Sequence, residues 1–132
     1  MQSIIPLYSL LLILSFPVFG QQKDTNTNQK PIPTASATEN ALLKFEQDLK
    51  AESLKIFLLG GIVSVIKSED FEFEKRHNVK YYDFGCTPPA QFKLYERYNE
   101  LVLDHLIKEH GKIWIAATNQ NAFGFQKWKE NQ

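Results

Sequence analysis

The residues that could do chemistry in this chain lie in one short stretch, NVKYYDFGCTPP, at positions 78–89. It holds the single cysteine, Cys86, preceded by Asp83, Phe84 and Gly85, the triplet that binds metal in protein kinases. A kinase also needs a glycine-rich loop and a His-Arg-Asp loop before that triplet, and the sequence has neither. The triplet therefore predicts the end of a strand followed by a glycine turn.

Cys86 is predicted to lie between a strand and a helix, which is where ligands bind in open α/β sheets. The N-terminus of a helix would favour a thiolate there, and His77 or Asp83 could tune it in a catalytic site. Pro89 stands where a thioredoxin-like motif has its second cysteine, and Phe92 where a phosphatase loop needs arginine. The other interpretation is a buried, inert cysteine, since a free cysteine behaves as a small hydrophobic residue.

Aromatic side chains near the C-terminus predict a second kind of site, a surface for a ligand or a partner protein. The candidate residues are Trp114, Phe123, Phe125 and Trp128. The same side chains could instead belong to the core, because a small domain can bury most of its aromatic residues. Burial of all four would exclude this surface.

We expect neither a metal ion nor another cofactor. His105 and His110 are five residues apart, so on a helix they point to different faces, unlike the i, i+4 pair of a zinc helix. Gly60 and Gly61 lack the third glycine and the Lys-Ser/Thr pair of a phosphate-binding loop, so they predict a tight turn or a close backbone approach. Fifteen basic residues balance fifteen acidic ones, which argues against nucleic acid as a partner.

Composition divides the chain into three parts. Residues 1–20 are uncharged and mostly apolar, with Val18 and Gly20 at the small-residue positions of a cleavage site, and they predict a signal peptide. The apolar run is too short to span a bilayer, so we expect no stable membrane insertion after cleavage. Residues 21–37 predict a flexible leader, and residues 38–132 a single globular domain of a periplasmic or secreted protein.

The first half of that domain predicts a helix and then a βαβ unit. Ser36 and Glu39 have capping-box spacing before a helical apolar pattern. A buried strand is predicted over residues 55–59, a short helix with Ser68 as its N-cap, and a second strand over residues 79–85. Short connections between these elements predict parallel strands with a right-handed crossover.

The second half predicts a long helix that packs against the sheet. Thr87 is a suitable N-cap, Pro88 suits the first helical position, and Gly111 suits the position after the last turn. Residues 112–117 fit either a third strand or a helical turn. The predicted fold class is thus a small α/β domain with a βαβ core and a long helix after the second strand.

One resemblance adds to these patterns. The string GGIVSVIKSEDFEFEKRHNVKYYDFGC, together with Tyr98-Asn99 and Gly124-Phe125, resembles a family of small exported bacterial proteins of uncharacterised function. The similarity covers residues 55–129. It implies a folded domain and brings no activity or site residues with it.

These observations lead to two functional hypotheses. The absence of a catalytic constellation in the sequence and the neutral charge favour an exported, non-enzymatic module that binds a partner protein or a small ligand. The alternative is a thiol-dependent activity, thioredoxin-like or with a cysteine nucleophile, centred on Cys86.

Overall fold

The computed structural model describes residues 36–132, so the predicted signal peptide and nearly all of the predicted leader lie outside the described residues. No helix in the described range is both long enough and apolar enough to cross a membrane. The elements are α1 (Ala37–Lys50), β1 (Lys55–Leu58), α2 (Ser68–His77), β2 (Lys80–Asp83), α3 (Phe92–His110), a 3-10 helix (Ile115–Ala117) and α4 (Phe125–Glu130). The prediction of a small α/β domain is confirmed.

The sheet consists of two parallel strands, with Phe57 of β1 opposite Tyr82 of β2. The other edge of β1 is completed by residues 121–123, which run antiparallel to it and form a bridge between Ala122 and Leu58. The Phe123 N–H donates to the Phe57 carbonyl at 3.0 Å. Both edges of β1 are therefore covered, and β1 lies in the centre of the domain.

Helix α1 begins as the sequence predicts. The Glu39 N–H donates to Ser36 Oγ at 3.2 Å, and the Ser36 N–H donates to the Glu39 carboxylate at 2.7 Å. This reciprocal capping box satisfies two backbone donors that the first turn leaves without partners. Helix α2 begins differently: Ser68 is its first residue, and the N–H of Lys67, not of Ser68, is capped by the Asp70 carboxylate at 2.8 Å.

The predicted start of α3 is wrong. The helix begins at Phe92, after Gln91, and neither Thr87 nor Pro88 belongs to it. The physical reason is the Pro88-Pro89 pair, because a residue that precedes proline is disfavoured in the helical region. Pro88, the predicted first helical residue, precedes Pro89, whereas an N-cap at Thr87 would not need helical backbone angles. The unresolved choice for residues 112–117 is settled by the 3-10 helix at Ile115–Ala117.

The predicted aromatic surface is also wrong. Its four members, Trp114, Phe123, Phe125 and Trp128, are each at most 5% exposed and belong to the core. Trp114 stacks on Trp128 at 6.1 Å between ring centroids, and Phe125 stacks on Trp128 at 5.9 Å. The segment that follows α3 folds back and buries these rings, so they are not available to a partner.

Candidate functional site

Cys86 is exposed, which contradicts the interpretation of a buried, inert cysteine. It lies in the turn after β2, six residues before the first residue of α3. The helix N-terminus was the reason to expect an activated thiol, and its influence falls off within the first turn. The geometry therefore provides an accessible thiol without the helix that was predicted to activate it.

The structure does not bring His77 to Cys86. His77 ends α2 before β2 begins, whereas Cys86 follows the other end of β2. Four residues of extended chain separate the two ends by about 10 Å. The ring of His77 packs against Phe73, His110 and Trp114 instead, so the predicted group of Cys86, His77 and Asp83 is not assembled.

Asp83 ends β2 and holds two loops at the carboxyl ends of the parallel strands. Its Oδ2 accepts from Ser64 Oγ at 3.0 Å and from the Val65 N–H at 3.1 Å, and its Oδ1 accepts from the Gly85 N–H at 2.7 Å. Desolvation raises the pKa of this carboxyl, but the bonds from Gly85, Val65 and Ser64 outweigh it and lower the pKa. Asp83 is thus an ionised anchor at neutral pH.

Gly60 is required by this anchor. A Cβ placed on Gly60 would lie 2.1 Å from Asp83 Oδ1, far inside contact distance, whereas a Cβ on Gly61 would meet nothing closer than 3.7 Å. The carboxylate lies directly against the Gly60 backbone. The two adjacent glycines therefore have different roles, and only the first allows the close approach that the sequence predicted for the pair.

The loop between Gly60 and Val65 is also held at its far end. The Val65 carbonyl accepts from Asn119 Nδ2 at 2.9 Å, and the same Nδ2 lies 2.8 Å from the Asp70 carboxylate of α2. Asn119 is itself buried. Both polar groups of the Val65 backbone are therefore fixed, one by Asp83 and the other by Asn119.

Two apolar side chains protrude from this fixed loop. Ile62 is 98% exposed and Val63 is 79% exposed. Both are β-branched, so few side-chain rotamers are open to them. We name Gly60–Val65, with Ile62 and Val63 at its tip, the anchored loop. It presents apolar surface to solvent in a defined conformation.

Sequence reasoning ended the strand at the pair Gly60-Gly61 but assigned no role to Ile62 and Val63, because an apolar string such as LKIFLLGGIVSVIK does not show which of its residues are exposed. The glycine pair was the first signal that these two residues lie outside the strand. The acidic residue at the end of the following strand, Asp83, was the second signal, because parallel strands end at the same edge of a sheet.

A resident metal ion finds no prepared position in the part of the chain that the structure describes. No group of three or more His, Cys, Asp or Glu side chains there is arranged to hold one. The Asp83 carboxylate is already occupied by hydrogen-bond donors.

Comparison of the chain with protein-family models, with curated proteins and with solved structures found no match. The resemblance to small exported bacterial proteins therefore stays a prediction.

Proposed function

We propose that this chain is an exported, non-enzymatic interaction module that binds a partner protein through Ile62 and Val63 of the anchored loop. The observation that carries the proposal is the exposure of both side chains, 98% and 79%, at the tip of a loop fixed by Asp83. Export rests on the apolar, uncharged residues 1–20, as predicted from the sequence.

The energetic argument favours a partner that offers an apolar pocket. Removing an isoleucine or valine side chain from water contributes about 1.5–3 kcal/mol. A loop that is already ordered loses little conformational entropy on binding, so more of this contribution remains as affinity. The bonds that fix Val65 at both its N–H and its carbonyl supply that order in advance.

The shape of the site favours a protein over a small ligand or nucleic acid. Small ligands bind in concave sites, whereas Ile62 and Val63 protrude. The chain has no excess of basic residues to attract phosphate groups. A pair of protruding apolar side chains fits a pocket on another protein.

The parallel pairing of the two strands supports the position of the binding site at the end of β1. We propose that β1, α2 and β2 form a βαβ unit with a right-handed crossover. In such a unit the connection after β1 leaves the carboxyl edge of the sheet, where ligands and partners usually bind. Parallel pairing of β1 with β2, and α2 between them in sequence, are consistent with it.

Site-specific photo-crosslinking tests the proposal. A benzoylphenylalanine at position 62, in cells that naturally produce the protein, is expected to give a discrete adduct with a different protein. Ile113 provides the matched control, because it is also an isoleucine and is 91% exposed outside the anchored loop. We expect no such adduct from position 113.

Two results would overturn the proposal. The first is equal crosslinking at positions 62 and 113, or none at either. The second is an adduct of twice the mass of the chain, which would replace the proposed partner with a second copy.

The exposure of Cys86 supports a second candidate function, a thiol-dependent activity at the turn after Asp83. The Gly85 N–H is held by Asp83 Oδ1, so the backbone beside the thiol is fixed. This candidate predicts that Cys86 reacts with iodoacetamide at neutral pH at least about tenfold faster than glutathione does.

Asp83→Asn is the informative variant for this candidate, because it keeps the side-chain shape and removes the charge. If the rate of Cys86 alkylation changes in Asp83→Asn, then the reactivity of the thiol depends on the turn that Asp83 fixes. A rate equal to that of glutathione in the folded protein would leave Cys86 an ordinary exposed thiol and remove the candidate.

A further inference from the structure

All three histidines of the chain line one cavity of about 290 Å³. The sequence places them on two different helices, His77 at the end of α2 and His105 and His110 on α3. The cavity lies where the C-terminal ends of these two helices meet the segment between α1 and β1, which contributes Glu52. Nothing in the anchored loop lines it.

A ring contact within the cavity joins α2 to α3. The ring centroids of His77 and His110 are 4.7 Å apart, with the rings inclined at 69°. His77 is only 8% exposed, and its Nδ1 is buried without a hydrogen-bond partner among residues 36–132. His110 is exposed. The Nδ1 of His77 is therefore kept from water, whereas His110 can reach it.

We propose that the His77–His110 pair is an acid-sensitive contact between α2 and α3, closed when both rings are neutral and opened when they are protonated. Histidine is the side chain whose charge changes between pH 5 and 8. Two imidazolium rings at this separation repel each other, and a buried charge without a partner is costly.

The other charges that face His77 come from three elements. Arg76 of α2 carries the same sign as a protonated His77 and opposes it. Glu109 and His105 of α3 and Glu52 of the α1–β1 segment line the cavity. Both carboxylates are exposed, so solvent screens their attraction for a protonated ring. The segment after α3 contributes Trp114, which is neutral.

The direction of the pH effect follows from these contacts. Burial, then His110, then Arg76 lower the pKa of His77 below its ordinary value of 6.5. His77 then binds a proton at a higher pH in the unfolded chain than in the folded chain. Its contribution to the free energy of unfolding is therefore fully present only above pH 6.5. It is lost as the pH falls from 6.5 toward the lowered pKa of the folded state.

Tryptophan fluorescence can follow the opening without unfolding the protein. Trp114 is buried against His77, with ring centroids 6.0 Å apart, and against Phe73 of α2. Separation of α2 from α3 would expose it. Acrylamide quenching of the folded protein is therefore expected to rise several-fold between about pH 7.5 and about pH 5.

Two variants distinguish the contact from general acid sensitivity. His110→Gln removes the exposed ring and its repulsion of a protonated His77, and we expect it to weaken the rise in quenching clearly, while burial still opposes protonation of His77. His105→Gln is the matched control, because His105 lines the same cavity but packs on Phe45, and we expect it to keep the rise. Quenching that does not change with pH in the unmodified protein, or that rises equally in His110→Gln, would overturn the proposal.

Discussion

Replacement of Asn99 by leucine is expected to lower the free energy of unfolding by about 3–5 kcal/mol. Asn99 is fully buried in the middle of α3, and its amide binds the edge of β1 that faces away from β2. Its Oδ1 accepts from the Phe57 N–H at 2.9 Å. Its Nδ2 donates to the Phe57 carbonyl at 2.8 Å and to the Phe123 carbonyl at 3.1 Å.

The large expected effect comes from buried backbone groups that would lose hydrogen-bond partners. In Asn99→Leu the Phe57 N–H loses its partner inside the core, and the carbonyls of Phe57 and Phe123 each lose a bond. An unsatisfied buried polar group costs about 1–3 kcal/mol. Leucine has as many side-chain heavy atoms as asparagine but a larger volume, so no empty cavity would form, and crowding in the core would add to the loss.

Asn131 is the matched control for this change. It is exposed near the C-terminus, where its Nδ2 donates to the Lys127 carbonyl at 2.7 Å. Asn131→Leu is expected to change stability by less than about 0.5 kcal/mol. Urea unfolding with a constant slope measures both variants. A loss below about 1 kcal/mol in Asn99→Leu would contradict the role given to this amide.

The second large effect is expected at Gly60. Gly60→Ala should lower the free energy of unfolding by about 2–3 kcal/mol, because its Cβ would occupy the position of Asp83 Oδ1. The carboxylate would have to move and give up donors from Ser64, Val65 or Gly85.

The neighbouring glycine supplies the control. Gly61→Ala introduces a Cβ whose nearest neighbour is 3.7 Å away, an ordinary contact. We expect a change within about 0.5 kcal/mol, since alanine also reduces the entropy of the unfolded chain.

A double-mutant cycle links the Gly60 effect to Asp83. In an Asp83→Ala background the clashing atoms are absent, so Gly60→Ala should cost much less than it does in the natural chain. If Gly60→Ala lowered the free energy of unfolding equally in both backgrounds, the effect of Gly60 would not depend on the Asp83 carboxylate.

The sequence was sufficient for features that depend on local chemistry. The capping box of α1 was predictable because Ser36 and Glu39 need only the correct spacing. The start of α3 also depends on local chemistry, and it was predicted wrongly: a second proline at position 89 disfavours helical backbone angles at Pro88, the predicted first helical residue.

The sequence was insufficient where burial decides. Trp114 and Trp128 are buried, whereas Tyr82 is about half exposed, although all three are aromatic residues. Their exposure depends on how the segment after α3 folds back, and the spacing of apolar residues in the sequence does not show this.

Asn99 shows an intermediate case. It lies four residues after Tyr95 and three residues before Val102, so it shares a helix face with these apolar residues, and this spacing indicates a buried polar group. Its partner on β1 could not be predicted from the sequence, because forty-two residues separate Asn99 from Phe57.

Crosslinking from position 62 with and without Gly60→Ala shows directly whether the Asp83 anchor presents Ile62 and Val63 to a partner protein. We predict a discrete adduct in the natural background and in Gly61→Ala, and a clear loss of that adduct in Gly60→Ala while the protein remains folded. An adduct of undiminished yield in Gly60→Ala would contradict the account, because partner binding would then not depend on the anchored conformation of the loop.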